Sequence, residues 1–240
     1  MVKKHLIKRS PLRVFEDATH GGPGHGALAV LASPKGVGKT ACLVHIATDK
    51  LFQGKSVIHV SYASRVDYII TWYEDIFKEI AKNHRLRDAV AVHDEIIKNR
   101  VIMNFKQDGM KTEQVIRSLE AMITGGHFNA ETIIVDGYDF SLAEPSDLAK
   151  FKEFAGRMNL ELWFSASLKE TGDGMFGTDG TPTLLQRHAG QIDVLVTLQA
   201  RPEAVEIRVV KDHAFLPAGI LPLKLDPKTL LLIAQEKHSL

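Results

Sequence analysis

Two spacings of apolar residues alternate along the chain. Short runs of β-branched and large aliphatic residues occur at 28–32, 56–61, 101–105, 132–136 and 160–165. Each has the length and composition of a buried strand. Between the runs the spacing changes to three and four. Ala41, Val44 and Ala47 mark a helix over 40–50, and Val66, Ile69, Ile70, Tyr73, Phe77 and Ile80 mark one face of a longer one. A further helical stretch covers roughly 88–98. Thr112 reads as the N-cap of a helix carrying Val115, Ile116, Leu119, Met122 and Ile123, which stops at Gly125-Gly126. Pro145-Ser146 open another, through Leu148, Phe151, Phe154 and Ala155. Strands that alternate with helices predict a mostly parallel sheet covered on both faces.

The last third has a different pattern. Gly172, Gly174, Gly177 and Gly180 punctuate a polar loop, and a short helix follows over 184–189. Strand-like runs then crowd together at 192–198, 205–210, 220–225 and 230–234, separated by Pro202, Pro217 and Pro227. Such spacing predicts antiparallel strands that extend the same sheet. With no internal repeat and no long linker, the expectation is one three-layer α/β/α domain over 21–240, preceded by a basic segment over 1–20.

Composition narrows the class without naming a function. The chain has 240 residues, 45% hydrophobic and 25% charged, in the range of an ordinary globular protein. A net charge of +1 gives no global pull toward nucleic acid or an anionic membrane. Cys42 is the single cysteine, which excludes an intrachain disulfide and a multi-cysteine zinc site. No apolar run approaches the ~20 residues of a membrane span, and no signal peptide follows the basic start, so the expected location is cytoplasmic.

The most specific chemistry lies in Ser33-Pro34-Lys35-Gly36-Val37-Gly38-Lys39-Thr40. It matches the phosphate-loop pattern G-x-x-x-x-G-K-[ST] with Ser33 at the first glycine. Glycines at 36 and 38 let successive N–H groups turn toward one anion. Lys39 is expected to reach the β- and γ-phosphates, and Thr40 to place its hydroxyl on Mg²⁺ while opening a helix whose N-terminus favours negative charge. Cys42 follows in that helix. By position it joins the cofactor-binding set, and by residue type it reads as a small buried packing residue.

Ile133-Ile134-Val135-Asp136 has the form of an apolar strand that delivers a carboxylate to the sheet edge. Asp136 either holds the magnesium beside Thr40 or ends the strand as a turn residue. Lys39 and Asp136 are the catalytic candidates. Gly137 occupies the position immediately after Asp136, and Asp139 reads as a base or as a turn residue.

With these residues placed, the chain resembles the RecA/KaiC/DnaB group of P-loop ATPases. Its lead-in, Gly21-Gly22-Pro23-Gly24-His25-Gly26 through Leu31, is similar to that group's glycine-rich approach to the phosphate loop. The segment 133–136, the helix after it and the strand ending Ser165-Ala166-Ser167-Leu168 resemble its Walker B, helix and sensor strand. Gln191 to Leu198 resembles its Ala-Asp-x-x-x-x-Leu segment, and Val209-Val210-Lys211 its late strand ending in lysine, which brings Lys211 into the nucleotide-binding set. The resemblance implies a RecA-like fold with ATP and Mg²⁺ as cofactors.

The departures concern catalysis. Ala63 stands where the family carries a water-activating glutamate, Ser167 where a sensor glutamine is common, and Lys211-Asp212-His213 in place of a Lys-x-Arg pair. The resemblance therefore implies Mg-ATP binding with weak or absent hydrolysis. A degenerate nucleotide-binding switch or assembly module is the alternative, with a homo-oligomer or protein partner left open. A DNA-associated motor is a further alternative. It is disfavoured by the loop over 169–181, which sets Lys169 against Glu170, Asp173 and Asp179. That loop reads as a lid or as plain surface. A ParA/MinD-type ATPase fits less well, because Pro34 falls where those proteins carry a lysine near the loop's start. Lys3, Lys4, Lys8, Arg9 and Arg13 read as a solvated tail or a nucleic-acid contact.

Overall fold

A computed structural model of the chain describes residues 2–62, 65, 67–106, 111–169 and 175–235. The strands are β1 (Leu28–Pro34), β2 (Ser56–Ser61), β3 (Arg100–Asn104), β4 (Ala130–Asp136) and β5 (Glu161–Leu168), then β6 (Val194–Ala200), β7 (Val205–Asp212), β8 (Gly219–Leu225) and β9 (Leu232–Ala234). The helices are α1 (Val2–Arg9), α2 (Leu12–Ala18), α3 (Lys39–Phe52), α4 (Asp67–Asn83), α5 (Ala89–Ile96), α6 (Thr112–Glu120), α7 (Pro145–Met158) and α8 (Thr183–Gln186).

One sheet carries all nine strands, in the order β3-β2-β4-β5-β1-β6-β7-β8-β9. The first six are parallel, and β6 to β9 are joined antiparallel. The chain is thus α/β, with a mostly parallel central sheet and antiparallel C-terminal strands. β1 is central, flanked by β5 and β6, and β5 separates it from β4. The carboxyl edge of the parallel strands is where connections leave β1, β2 and β4, and where α/β sheets collect their ligands.

The unbroken apolar runs follow from burial on both faces. Along β1, Ala29 and Leu31 belong to one core with Ile134, Trp163, Val196 and residues of α1 to α5. Leu28, Val30 and Ala32 belong to the other, with Ile133, Phe164 and residues of α6 and α7. Successive side chains on a strand point to opposite faces, so a strand between two helical layers must be apolar throughout.

Several boundaries differ from the expectation, for local reasons. Lys111 rather than Thr112 is the N-cap of α6: its N–H donates to the Gln114 side chain at 3.0 Å, the reciprocal arm of a capping box. A single π turn over Ala121–Gly125 ends that helix. The short helix of the last third is only Thr183–Gln186. Val66, Gly172 and Gly174 lie outside the described residues.

The basic N-terminal segment is not a solvated tail. Its two short helices bury Leu6, Leu12 and Phe15 in the same core as α3, and the Phe15 ring packs on Trp163 at 5.6 Å. Arg13 forms an ion pair with Asp49 of α3. Ser10-Pro11 splits the apolar positions of this segment into two pieces, each too short to show a helical period, so its charges are its plainest sequence signal. A buried pair pins α3 to β5: Lys50 Nζ donates to Glu161 Oε2 at 2.7 Å, and Trp163 Nε1 donates to Glu161 Oε1 at 2.6 Å. Among the described residues no helix is long and apolar enough to cross a membrane.

Candidate functional site

β1 ends at Pro34 and α3 begins at Lys39, so the four residues between them form a tight turn on the carboxyl edge of the central strand. Gly36 has φ 82° and Gly38 has φ 113°, both in the left-handed region that glycine enters without cost. Gly38 is also the N-cap of α3, which leaves the first N–H groups of the helix to whatever occupies the turn. An ideal Cβ on Gly38 falls 2.4 Å from Leu225 Cδ2 at the end of β8. The C-terminal strands therefore press against this loop, a contact with no local sequence signal.

Lys39 is folded back into its own loop. Its Nζ donates to the Ser33 carbonyl at 3.0 Å and the Pro34 carbonyl at 2.9 Å, and lies 3.4 Å from Ser33 Oγ. The residue is only 8% exposed. Burial pulls its ammonium down to about 8, and Asp136 partly opposes that shift. A lysine held by neutral carbonyls is short of a counter-charge, and an incoming anion supplies one.

Thr40 Oγ1 donates to Asp136 Oδ2 at 2.8 Å, across 96 residues of sequence. Asp136 closes β4 and is 9% exposed, and its carbonyl accepts from Tyr62 N–H. The hydroxyl and carboxylate are hard oxygen donors of the kind Mg²⁺ takes, one or two from protein and the rest from water and phosphate. Among the described residues no group of three or more His, Cys, Asp or Glu could hold a metal by itself. The arrangement suits a cation that arrives with an anionic ligand.

The strand between β1 and β4 adds two serines. Ser165 Oγ accepts from Gly137 N–H at 2.7 Å and holds the chain beyond Asp136, while Ser167 is in register with Ser33. Around the exit of β4, Tyr138 packs edge-on to Phe140, Phe151 and Phe164. Burial pushes the Tyr138 phenol up to about 12 and raises the Tyr62 phenol as well.

Ser33, Pro34, Lys35, Gly36, Val37, Gly38, Lys39, Thr40 and Asp136 are thus brought to one edge. Lys35 and Gly36 are exposed, and Val37 leans on the core. Cys42 does not join them. Its side chain is 2% exposed among core residues, where burial pushes the thiol up to about 12 and leaves it protonated. Its N–H is used by the Gly38 carbonyl.

Lys211 is also not at the loop. It pairs with Leu195 on β6, which pairs with Val30, four residues before Pro34 and so about 13 Å down the strand. Its Nζ donates to the Ala189 and Ile192 carbonyls at 2.7 and 2.5 Å. β7 runs antiparallel, so its end lies at the amino edge, a direction that a linear motif does not encode. His213 lies at that same edge. Ala63 falls outside the described residues, as do 170–174 of the expected lid.

No protein-family model matches this sequence. No curated protein matches it either.

Proposed function

We propose that this chain is a RecA/KaiC-like P-loop protein that binds Mg-ATP at the turn between β1 and α3. The observation that carries the reading is the Thr40–Asp136 hydrogen bond at 2.8 Å beside a buried, carbonyl-bound Lys39. A glycine turn alone binds nothing in particular. A lysine, a hydroxyl and a remote carboxylate converging on one helix N-terminus match the needs of a nucleotide triphosphate with its cation.

In this reading the N–H groups of Gly36 to Thr40 receive the phosphates. Lys39 exchanges the Ser33 and Pro34 carbonyls for phosphate oxygens. Thr40 and Asp136 hold Mg²⁺, which when bound neutralises phosphate charge. Ser165 keeps Gly137, and with it the Asp136 carboxylate, in place through the contact at 2.7 Å.

A second reading, binding without turnover, is favoured by one observation. Asp139, the nearest candidate base in sequence, serves as a turn residue: its Oδ1 accepts from Ser141 N–H at 2.9 Å and Ser141 Oγ at 2.6 Å, which ties the side chain to its own loop. Activating water needs a group free to take a proton. Thermal-shift titration with Mg-ATP, Mg-GTP and Mg-ADP tests binding, since ligand at 100 times its Kd stabilises by about 2.7 kcal/mol. No shift with any of them sinks the proposal. Phosphate release by the wild type and by Lys39→Ala then separates the two readings: turnover abolished by the substitution marks an enzyme, and binding without turnover marks a switch module.

A further inference from the structure

Far from the phosphate loop, at the amino edge of the sheet, Asp212 is fully buried between two histidines. His20 Nδ1 lies 2.7 Å from Asp212 Oδ2, and His213 Nδ1 lies 2.9 Å from Asp212 Oδ1. The other ring nitrogen of His213, Nε2, lies 3.0 Å from the Pro23 carbonyl. The His20 ring stacks on Phe215 at 3.8 Å.

The hydrogen-bond chemistry of His213 is restrictive. A carboxylate and a carbonyl both accept, so each ring nitrogen must donate. A neutral imidazole carries one N–H and can make only one of these bonds. Both are made only by the imidazolium, which also supplies the counter-charge that a buried carboxylate requires. When the proton leaves, the remaining N–H stays with Asp212, the stronger acceptor, and Pro23 loses its donor.

Pro23 sits in the connection between α2 and β1, between Gly22 at φ 86° and Gly24 at φ 76°. Two side chains of the connection also anchor it, His20 on Asp212 and His25 on the Asn159 carbonyl at 2.7 Å, but neither bonds Pro23 itself. The connection's own backbone bonds include Gly21 N–H to Glu16 O, Gly22 N–H to Thr19 O and Gly26 N–H to Leu160 O. We propose that His213 is a protonation-dependent latch that ties this glycine-rich connection, and through it α1 and α2, to the turn between β7 and β8.

Of the charged and titratable groups around the ring, Asp212 and Asp193 favour the closed form. Asp212 contacts the ring directly, His20 lies on the other oxygen of that carboxylate, and His213 N–H donates to the Asp193 carbonyl. Asp193 is itself paired with Lys152 at 2.7 Å, while the neighbouring Lys211 is turned onto carbonyls. Burial alone lowers His213, but the bonds to Asp212 and Pro23 and the charges of Asp212 and Asp193 outweigh it and leave the ring above its ordinary value of 6.5. A raised folded-state value means that the stabilisation is complete below pH 6.5 and is lost as pH rises through the folded value.

The test combines ring ¹⁵N NMR with amide exchange at Gly21 and Gly22, corrected for the intrinsic pH dependence of exchange. The expected result is a His213 ring protonated on both nitrogens at pH 6, with protection at these amides falling about tenfold as the ring titrates. His213→Gln is expected to remove the transition, and His20→Gln to keep it. A singly protonated ring at pH 6, an unchanged transition in His213→Gln, or its loss in His20→Gln alone overturns the latch. The wild-type ring spectrum decides the matter even where a variant folds poorly.

Discussion

If the buried Lys39 is the phosphate ligand, nucleotide affinity must depend on pH in a range where the nucleotide itself does not titrate. In the free protein, burial against neutral carbonyls leaves the ammonium with a value of about 8, against an ordinary 10.5. A bound phosphate holds the proton on, returning the lysine to at least its ordinary range. The free site must then be reprotonated before it binds, and the apparent Kd is multiplied by one plus the ratio of neutral to charged lysine. That factor is about 1.1 at pH 7 and about 11 at pH 9, a weakening of about tenfold, or about 1.4 kcal/mol. The terminal phosphate loses its last proton near pH 6 and so contributes little above pH 7.

Stability of the free protein runs the other way. A lysine with a lowered folded value contributes most above its unfolded value of 10.5, and that contribution is lost as pH falls through about 8. Isothermal titration with Mg-ATP at pH 7, 8 and 9 measures the binding effect. Lys39→Arg is the control, because its guanidinium stays charged throughout and its affinity, even if lower, is expected to be flat. A wild-type Kd constant from pH 7 to 9, or the same slope in Lys39→Arg, refutes the assignment of Lys39.

Three further outcomes follow from packing. Gly38→Ala forces a side chain into φ 113° and sets its Cβ 2.4 Å from Leu225 Cδ2; the backbone strain alone costs about 1–3 kcal/mol in denaturant melts, and a double-mutant cycle with Leu225→Ala, itself destabilising because Leu225 is buried, isolates the steric part as the coupling. Equal stability of Gly38→Ala and wild type contradicts the loop geometry. Phe15→Ala opens the contact with Trp163 and is expected to cost about 3–5 kcal/mol by the same melts, whereas a solvated N-terminal tail predicts almost no change. Glu161→Ala strands the Lys50 ammonium and the Trp163 N–H; the expected loss is about 3–5 kcal/mol, and the double variant Lys50→Met/Glu161→Leu should recover much of it if the cost is an unpaired buried charge.

The local part of this fold was legible in the sequence because it is written in short periods. Each long apolar run became a strand within a few residues of its expected ends, and the crowded runs after residue 190 became the antiparallel strands β6 to β9. The phosphate-loop motif lies between the strand and helix it requires, since a turn of this kind depends on glycine conformations encoded within eight residues. Misreadings came where the chemistry is non-local. Charge is the plainest sequence signal of the N-terminal segment, yet α1 packs on α3, α2 on β8, and Phe15 on Trp163 of β5. The resemblance implies a place for Lys211 near the nucleotide, but the antiparallel run of β7 carries it to the amino edge.

What the sequence determined by itself was therefore the set of elements and one glycine-shaped turn: burial on two faces dictates apolar strands, and positive φ dictates glycine. Only the tertiary structure decided which remote groups meet. Sheet order brings Asp136 to Thr40 across 96 residues, packing sets Leu225 on Gly38, and chain direction joins Asp212 to His20 and His213 at the far edge. Those pairings depend on strand order and register, and these are settled by burying the two helical layers together rather than by any stretch of chain alone.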